Sequence, residues 1–81
     1  MAEDENFIRA NISTLLSAPE VRVKTGEIGG EWTLNEIHFI HGMPRNIEFS
    51  AIFENGSASL KISAKIHRDS ARFLNIKVED F

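Results

Sequence analysis

The 81-residue chain contains no cysteine. This absence excludes disulfides, zinc–thiolate sites and thiol catalysis, and nothing in the sequence requires an oxidising compartment. A chain of this length buries only about 60–65 % of its unfolded surface, which is enough for one core. The sequence therefore predicts a single domain over residues 1–81, held together by packing alone.

A long apolar segment and an excess of positive charge are also missing. The N-terminus, MAEDEN, is acidic where a signal peptide would be basic and then apolar. We therefore expect a chain without a membrane segment, in the cytoplasm or another soluble compartment. The net charge is -3 and the pI is near 5.5. This balance argues against general nucleic-acid binding, because that affinity comes from clustered Lys and Arg.

The N-terminal segment has the pattern of an amphipathic helix. Apolar residues recur at helical spacing, and polar residues take the positions between them. Acidic residues near its start suit the positive end of the helix dipole, and Pro19 ends the segment because the residue before a proline disfavours helical geometry. The pattern predicts one helix over about residues 4–17.

From Glu20 onwards the apolar period changes from 3.6 to 2, and β-branched residues become frequent. Gly29-Gly30 and Asn55-Gly56 both favour two-residue hairpin turns, because these residues accept positive φ. The expected fold is α+β, an N-terminal helix packed on one face of a five-stranded antiparallel meander sheet whose other face is open. The predicted strands span about residues 20–28, 31–41, 46–54, 57–67 and 71–79.

Two tight turns predict the register of the last three strands. A two-residue turn at Asn55-Gly56 pairs Phe49 with Ile62, so that apolar residues meet on one face. A three-residue turn at about residues 68–70 then pairs Lys65 with Phe73 on the opposite face. Phe73 is therefore expected on the open side of the sheet.

The second predicted strand contains two apolar pairs that are out of phase. Trp32 and Leu34 occupy even positions, whereas Ile37 and Phe39 occupy odd ones. A β-bulge near residues 35–36 would bring all four side chains onto one face. A regular strand, the alternative, would leave Trp32 and Leu34 on the open face.

No residue pattern indicates a reaction. His38 and His41 are three residues apart on a predicted strand, so they point to opposite faces and cannot share an ion, and His38 is expected opposite Glu48. We find no nucleophile elbow, paired carboxylates or phosphate-binding loop. The sequence thus predicts a protein that is not an enzyme and has no catalytic residues, cofactor or metal site.

The open face of the predicted sheet combines apolar residues with lysines and serines. The candidate partner-binding residues are Ile52, Lys61, Lys65, Phe73 and Lys77. Their composition is that of a modest protein interface, and the lysines favour an acidic partner. A plain solvated face is the alternative interpretation, because apolar atoms contribute much of any protein surface.

These features favour a non-enzymatic protein-interaction module that acts through its open sheet face or, by β-augmentation, through an edge strand. An inhibitor, an immunity protein and an assembly factor are all versions of this hypothesis. One alternative is a single-stranded nucleic-acid accessory protein that stacks bases on Phe73. Another is a self-associating structural protein, with a homodimer covering the open face.

Two segments, LLSAPEVRVKTGEI and ENGSASLKISAKIHRDSARFLNIKVED, resemble the soluble domain of cytochrome c oxidase assembly factors and the related accessory domain of the mitochondrial inner-membrane translocase. The matching positions are Pro19, Gly26, Ile28, Gly56, Ser57 and residues 73–78. The sequence lacks the membrane anchor of that family, and Arg72-Phe73 stands where the family's final strand carries Trp. The resemblance implies a non-catalytic docking domain.

Overall fold

Three helices precede one four-stranded sheet in a computed structural model that describes residues 2–81, without the side chain of His41. The helices are α1 (Ala2–Ala10), α2 (Ile12–Leu16) and α3 (Pro19–Ile28). The strands are β1 (Thr33–Gly42), β2 (Asn46–Glu54), β3 (Ser59–His67) and β4 (Phe73–Asp80). They form an antiparallel sheet in the order β1-β2-β3-β4. The α+β class is confirmed, but the fifth predicted strand is not seen among the described residues.

The predicted first helix is interrupted at Asn11. Its side-chain amide donates a hydrogen bond of 2.8 Å to the carbonyl oxygen of Phe7. Asn side chains compete in this way with backbone hydrogen bonding, which explains their poor fit inside helices. Two helices, α1 and α2, therefore occupy the segment, and they bury Ile8 and Leu15 respectively.

The segment predicted as a strand over residues 20–28 is helix α3, and this prediction was wrong. Pro19 occupies the first turn of the helix, where its missing N–H costs nothing, and Ala18 before it is extended at ψ 139°. The alternation of Val21 and Val23 does not mark two sheet faces, since Val21 is buried and Val23 is exposed on the helix surface. Five alternating residues were too few to distinguish the two periods.

Gly29 and Gly30 end α3 instead of forming a hairpin. Both have positive φ, 82° and 83°, and the Gly29 N–H donates to the carbonyl oxygen of Thr25 as a helix cap. The Asn55 side chain donates to the Gly29 carbonyl oxygen at 2.9 Å. Its Oδ1 accepts the N–H groups of Ser57 and Ala58 at 3.1 and 2.8 Å. Asn55 thus joins the β2–β3 turn to the link between helices and sheet.

The predicted bulge in β1 is confirmed. Leu34 pairs with Phe53 and Glu36 with Ile52, so Asn35 is the extra residue. Trp32, Leu34 and Ile37 all pack against the core as a result. A second irregularity follows between Phe39 and His41.

The β2–β3 pairing is displaced by two residues from the predicted register. Phe49 lies opposite Ala64, not Ile62, because the turn contains four residues, 55–58. A shift of two residues leaves every side chain on its predicted face. Ile47, Phe49, Ala51 and Phe53 accordingly enter the core, as do Ile62, Ala64 and Ile66.

The β3–β4 pairing places Phe73 on the face opposite to the predicted one. Ile66 pairs with Phe73 and Lys65 with Leu74, whereas Ser63 pairs with Lys77, so β4 contains one extra residue in between. Asn75 lies in this bulge with φ 55°. The bulge reverses the alternation, and Phe73 packs with the core while Leu74 takes the open face.

Candidate functional site

One face of the sheet is left without a helix. All three helices contribute a buried residue, Ile8, Leu15 or Val21, to the same core cluster as the odd-numbered residues of β2. The face opposite to this core, here called the outer face, carries the even-numbered residues of β2 and their cross-strand neighbours.

Cross-strand pairing arranges the outer face in three rows. The first contains Glu36, Ile52, Lys61 and Glu79. The second contains His38, Ser50, Ser63 and Lys77. The third contains Glu48, Lys65 and Leu74. The rows hold three lysines and three glutamates, so the face is mixed in charge and not uniformly basic.

Four of the five predicted partner-binding residues lie on the outer face, namely Ile52, Lys61, Lys65 and Lys77. Phe73 does not, because it faces the core. Ile52 is only 4 % exposed, since longer side chains flank it on the neighbouring strands. It can support a contact surface but offers little area to a partner.

The sequence interpretation missed two accessible apolar residues of this region. Leu74 lies on the outer face and is 37 % exposed, and Ile40, at the second irregularity of β1, is 58 % exposed. Both follow from strand irregularities that reverse the simple alternation of side chains. The out-of-phase apolar residues of β1 indicated only the bulge at Asn35, and neither the irregularity at Ile40 nor the bulge in β4 was predicted.

A concavity of about 230 Å³ lies on the outer face, here called the outer-face concavity. It is lined by Ile40, Glu48, Ser63, Lys65, Asn75 and Lys77, among others. The small Ser63 side chain leaves space between the longer side chains of the two lysines. The lining thus combines two lysines, a serine, an asparagine and a glutamate with three apolar residues, Ile40, Phe49 and Ala64.

A smaller depression of about 130 Å³ adjoins it and shares Glu48 and Lys65. Asn46 and Met43 complete its lining. The Oδ1 atom of Asn46 is buried without a hydrogen-bond partner. A buried acceptor without a partner costs free energy, which a hydrogen bond from a donor group would recover.

A second recess, of about 450 Å³, lies on the helix side, between the α2–α3 junction and the start of β4. Ala18, Ala71, Phe73 and Ile76 give it apolar walls. The charged residues that line it, Glu20 and Arg72, have opposite signs. Its electrostatics therefore favour no particular class of ligand.

An ion pair connects the first helix to the turns of the sheet. The Arg68 guanidinium donates to both carboxylate oxygens of Asp4, at 2.7 and 3.4 Å, and to the Met43 carbonyl oxygen at 3.2 Å. The hydrogen bond from Arg68 lowers the pKa of Asp4. One side chain thereby connects α1, the β1–β2 turn and the β3–β4 turn, which makes the pair structural.

Two of the histidines have local partners. His38 Nε2 lies 3.2 Å from a Glu36 carboxylate oxygen and pairs across strands with Ser50, not with Glu48 as predicted. His67 Nδ1 accepts the N–H groups of Asp69 and Ser70 in the β3–β4 turn. The predicted orientation of the His41 side chain lies outside the described residues. Within residues 2–81 no group of three His, Cys, Asp or Glu side chains is placed to hold a metal ion.

Comparisons of the chain with protein-family profiles, curated proteins and solved structures found no match. They do not bear on the resemblance to oxidase assembly factors, which stays a hypothesis. None of the helices in the described chain has the length and apolar character needed to cross a membrane.

Proposed function

We propose that this chain is a non-enzymatic protein-interaction module and that its outer face is the binding surface. The supporting observation is that all three helices bury residues against the same face of the sheet, so the outer face lies away from them. Two exposed apolar residues, Ile40 and Leu74, lie at the outer face. Exposed apolar groups surrounded by polar ones are typical of protein contact sites.

The size of the outer face suits a weak or transient complex. Four strands about 4.8 Å apart and about 27 Å long give roughly 500 Å². A partner covering this area would bury about 1,000 Å² in total, at the lower end of specific interfaces. The interleaved lysines and glutamates contribute mainly to partner choice and orientation.

The edge strand β1 is a second candidate surface. Three of its residues or close neighbours are exposed and apolar, namely Phe39, Ile40 and Met43. An added strand could therefore gain side-chain contacts as well as backbone hydrogen bonds. However, the irregularities on either side of Glu36–Phe39 leave only a short regular stretch, and bulges commonly protect strand edges from pairing.

The nucleic-acid alternative receives less support from the geometry. Phe73, the residue expected to stack on bases, belongs to the core. Glu48 and Glu79 lie directly across from Lys65 and Lys61, which reduces the positive field that a phosphate backbone requires. Self-association through the outer face or β1 stays an alternative, in which the partner is a second copy.

The test is affinity capture from the source lysate with wild-type protein and two matched variants. Leu74→Asp places a charge on the outer face, whereas Val23→Asp makes the same kind of change on the α3 surface, where Val23 is 66 % exposed. We expect a specific protein to be captured by the wild type and Val23→Asp but lost from Leu74→Asp. Circular dichroism of each variant confirms that it is folded.

Equal recovery of every captured protein by Leu74→Asp and the wild type contradicts the assignment of the outer face. The same experiment on a Phe39→Asp variant then examines the β1 edge, because Phe39 is 38 % exposed and does not line the outer-face concavity. Sedimentation velocity of the purified wild type separates a foreign partner from self-association, because only the latter depends on the concentration of this chain alone.

A further inference from the structure

The lysines of the outer face are not equivalent. Lys65 and Lys77 both line the outer-face concavity, whereas Lys61 lies in another row between Ile52 and Glu79. Two ammonium groups beside the Ser63 hydroxyl and the Asn75 carboxamide make a site for an oxyanion. The single carboxylate there, Glu48, leaves one unit of positive charge in excess.

We infer that the outer-face concavity binds a carboxylate side chain, Asp or Glu, presented by an extended acidic segment of the partner protein. This inference rests on the proposed function, for which it specifies the chemistry of the partner. The concavity, at about 230 Å³, accommodates one side chain and is too small for a compact domain. The lysines give the carboxylate two charge-assisted hydrogen bonds.

The adjoining depression favours a peptide over a free anion. Asn46, whose buried Oδ1 lacks a hydrogen-bond partner, lines the depression, and Lys65 and Glu48 connect the depression to the concavity. A polypeptide carries a side-chain carboxylate and backbone N–H groups within the same few residues. Inorganic phosphate carries an O–H donor at neutral pH, but one compact ion does not extend over the concavity and the adjoining depression together.

The test uses amide chemical shifts of the ¹⁵N-labelled protein during titration with three probes. The probes are acetyl-Glu-Glu-Glu-amide, its glutamine counterpart and inorganic phosphate, at equal ionic strength. We expect the glutamate peptide to shift the amides of Asn46, Ser63, Lys65, Asn75 and Lys77. The glutamine peptide and phosphate are expected to bind more weakly.

The variants separate the concavity from general attraction to a lysine-bearing surface. Lys65→Gln/Lys77→Gln should weaken binding of the glutamate peptide about fivefold to tenfold, as expected for two exposed ion pairs. Lys61→Gln removes a lysine from the same face but outside the concavity, and should bind nearly as the wild type does. A loss of binding free energy in the double variant that is no more than twice the loss in Lys61→Gln, or phosphate binding as tightly as the glutamate peptide, overturns the inference.

The outcomes also distinguish this inference from the proposed function. A natural partner that is lost from Leu74→Asp but retained by Lys65→Gln/Lys77→Gln places the interface on the outer face and contradicts the carboxylate site. A partner retained by all three variants contradicts the proposed function itself. Loss from both the Leu74 and the double-lysine variants, with retention by Lys61→Gln, supports both.

Discussion

Phe73 packs edge-on against Phe49, with ring centroids 6.1 Å apart and ring planes at 67°. The contact joins the first residue of an edge strand to a fully buried residue of a central strand. Edge-to-face aromatic pairs contribute free energy beyond the burial of their area. Leu74, the next residue, faces the opposite side of the sheet, so two adjacent positions have different roles.

This difference predicts opposite outcomes for adjacent substitutions. Phe73→Ala should lower the free energy of unfolding by about 2–3 kcal/mol, because it removes a large side chain from the packed inner face. Leu74→Ala should change it by less than about 1 kcal/mol. Urea denaturation of both variants measures the difference. Equal costs at the two positions would contradict the bulge at Asn75 that sets their directions.

A second prediction concerns acid stability. Because Arg68 lowers the pKa of Asp4, the folded chain binds a proton at Asp4 less readily than the unfolded chain does. The stabilisation is therefore fully present above the unfolded pKa of about 3.9 and is lost as the pH falls through the lower, folded pKa. Asp4→Asn should lower the melting temperature modestly at pH 7 and converge with the wild type in strong acid.

Glu3→Gln is the matched control for the acid-stability measurement, since it removes the same charge from the same helical turn. Glu3→Gln changes the interaction of the acidic first turn with the helix dipole but leaves the contact between Asp4 and Arg68 in place, so the two contributions can be separated. Thermal unfolding at several pH values, at low and high salt, provides the comparison. An identical pH profile for the two variants would show that the ion pair contributes nothing specific.

The faces of β2 and β3 could be predicted because alternating side chains depend only on the parity of the register. The turn at Asn55 is two residues longer than expected, yet Phe49 and Ile62 stay on the inner face. The bulge in β1 was also predictable, because two apolar pairs in one strand were out of phase. In both cases the spacing of the apolar residues within the strand was enough to decide which side chains share a face.

Helix α3 and the direction of Phe73 could not be predicted with the same logic. The α3 segment alternates over too few residues, and packing of Val21 with the core decides its conformation. In β4 one added residue at Asn75 reverses Phe73 and Leu74 but leaves Lys77 on its predicted face. Consequently the lysines of the candidate site were placed correctly, whereas its aromatic residue was not.

Asn55 provides a third prediction, on the junction between helices and sheet. Asn55→Asp keeps an oxygen for the Ser57 and Ala58 N–H groups but removes the donor to the Gly29 carbonyl. It should cost about 1 kcal/mol of unfolding free energy, and Asn55→Ala, which loses both functions, about 2 kcal/mol. Hydrogen exchange should rise near Gly29 in both variants but near Ala58 only in Asn55→Ala.

The last prediction uses the backbone of Ala71, which has φ 57° and lies at the wall of the helix-side recess. A left-handed conformation costs an L-residue with a Cβ about 1–2 kcal/mol, whereas glycine adopts it without that penalty. Ala71→Gly should therefore raise the free energy of unfolding by about 0.5–1 kcal/mol, after the greater freedom of glycine in the unfolded chain is subtracted. Ala10→Gly, at the end of α1, is the control and should lower it by up to about 1 kcal/mol. If both glycine variants are destabilised, Ala71 is not held in a strained conformation, and the β3–β4 turn must differ from the one described.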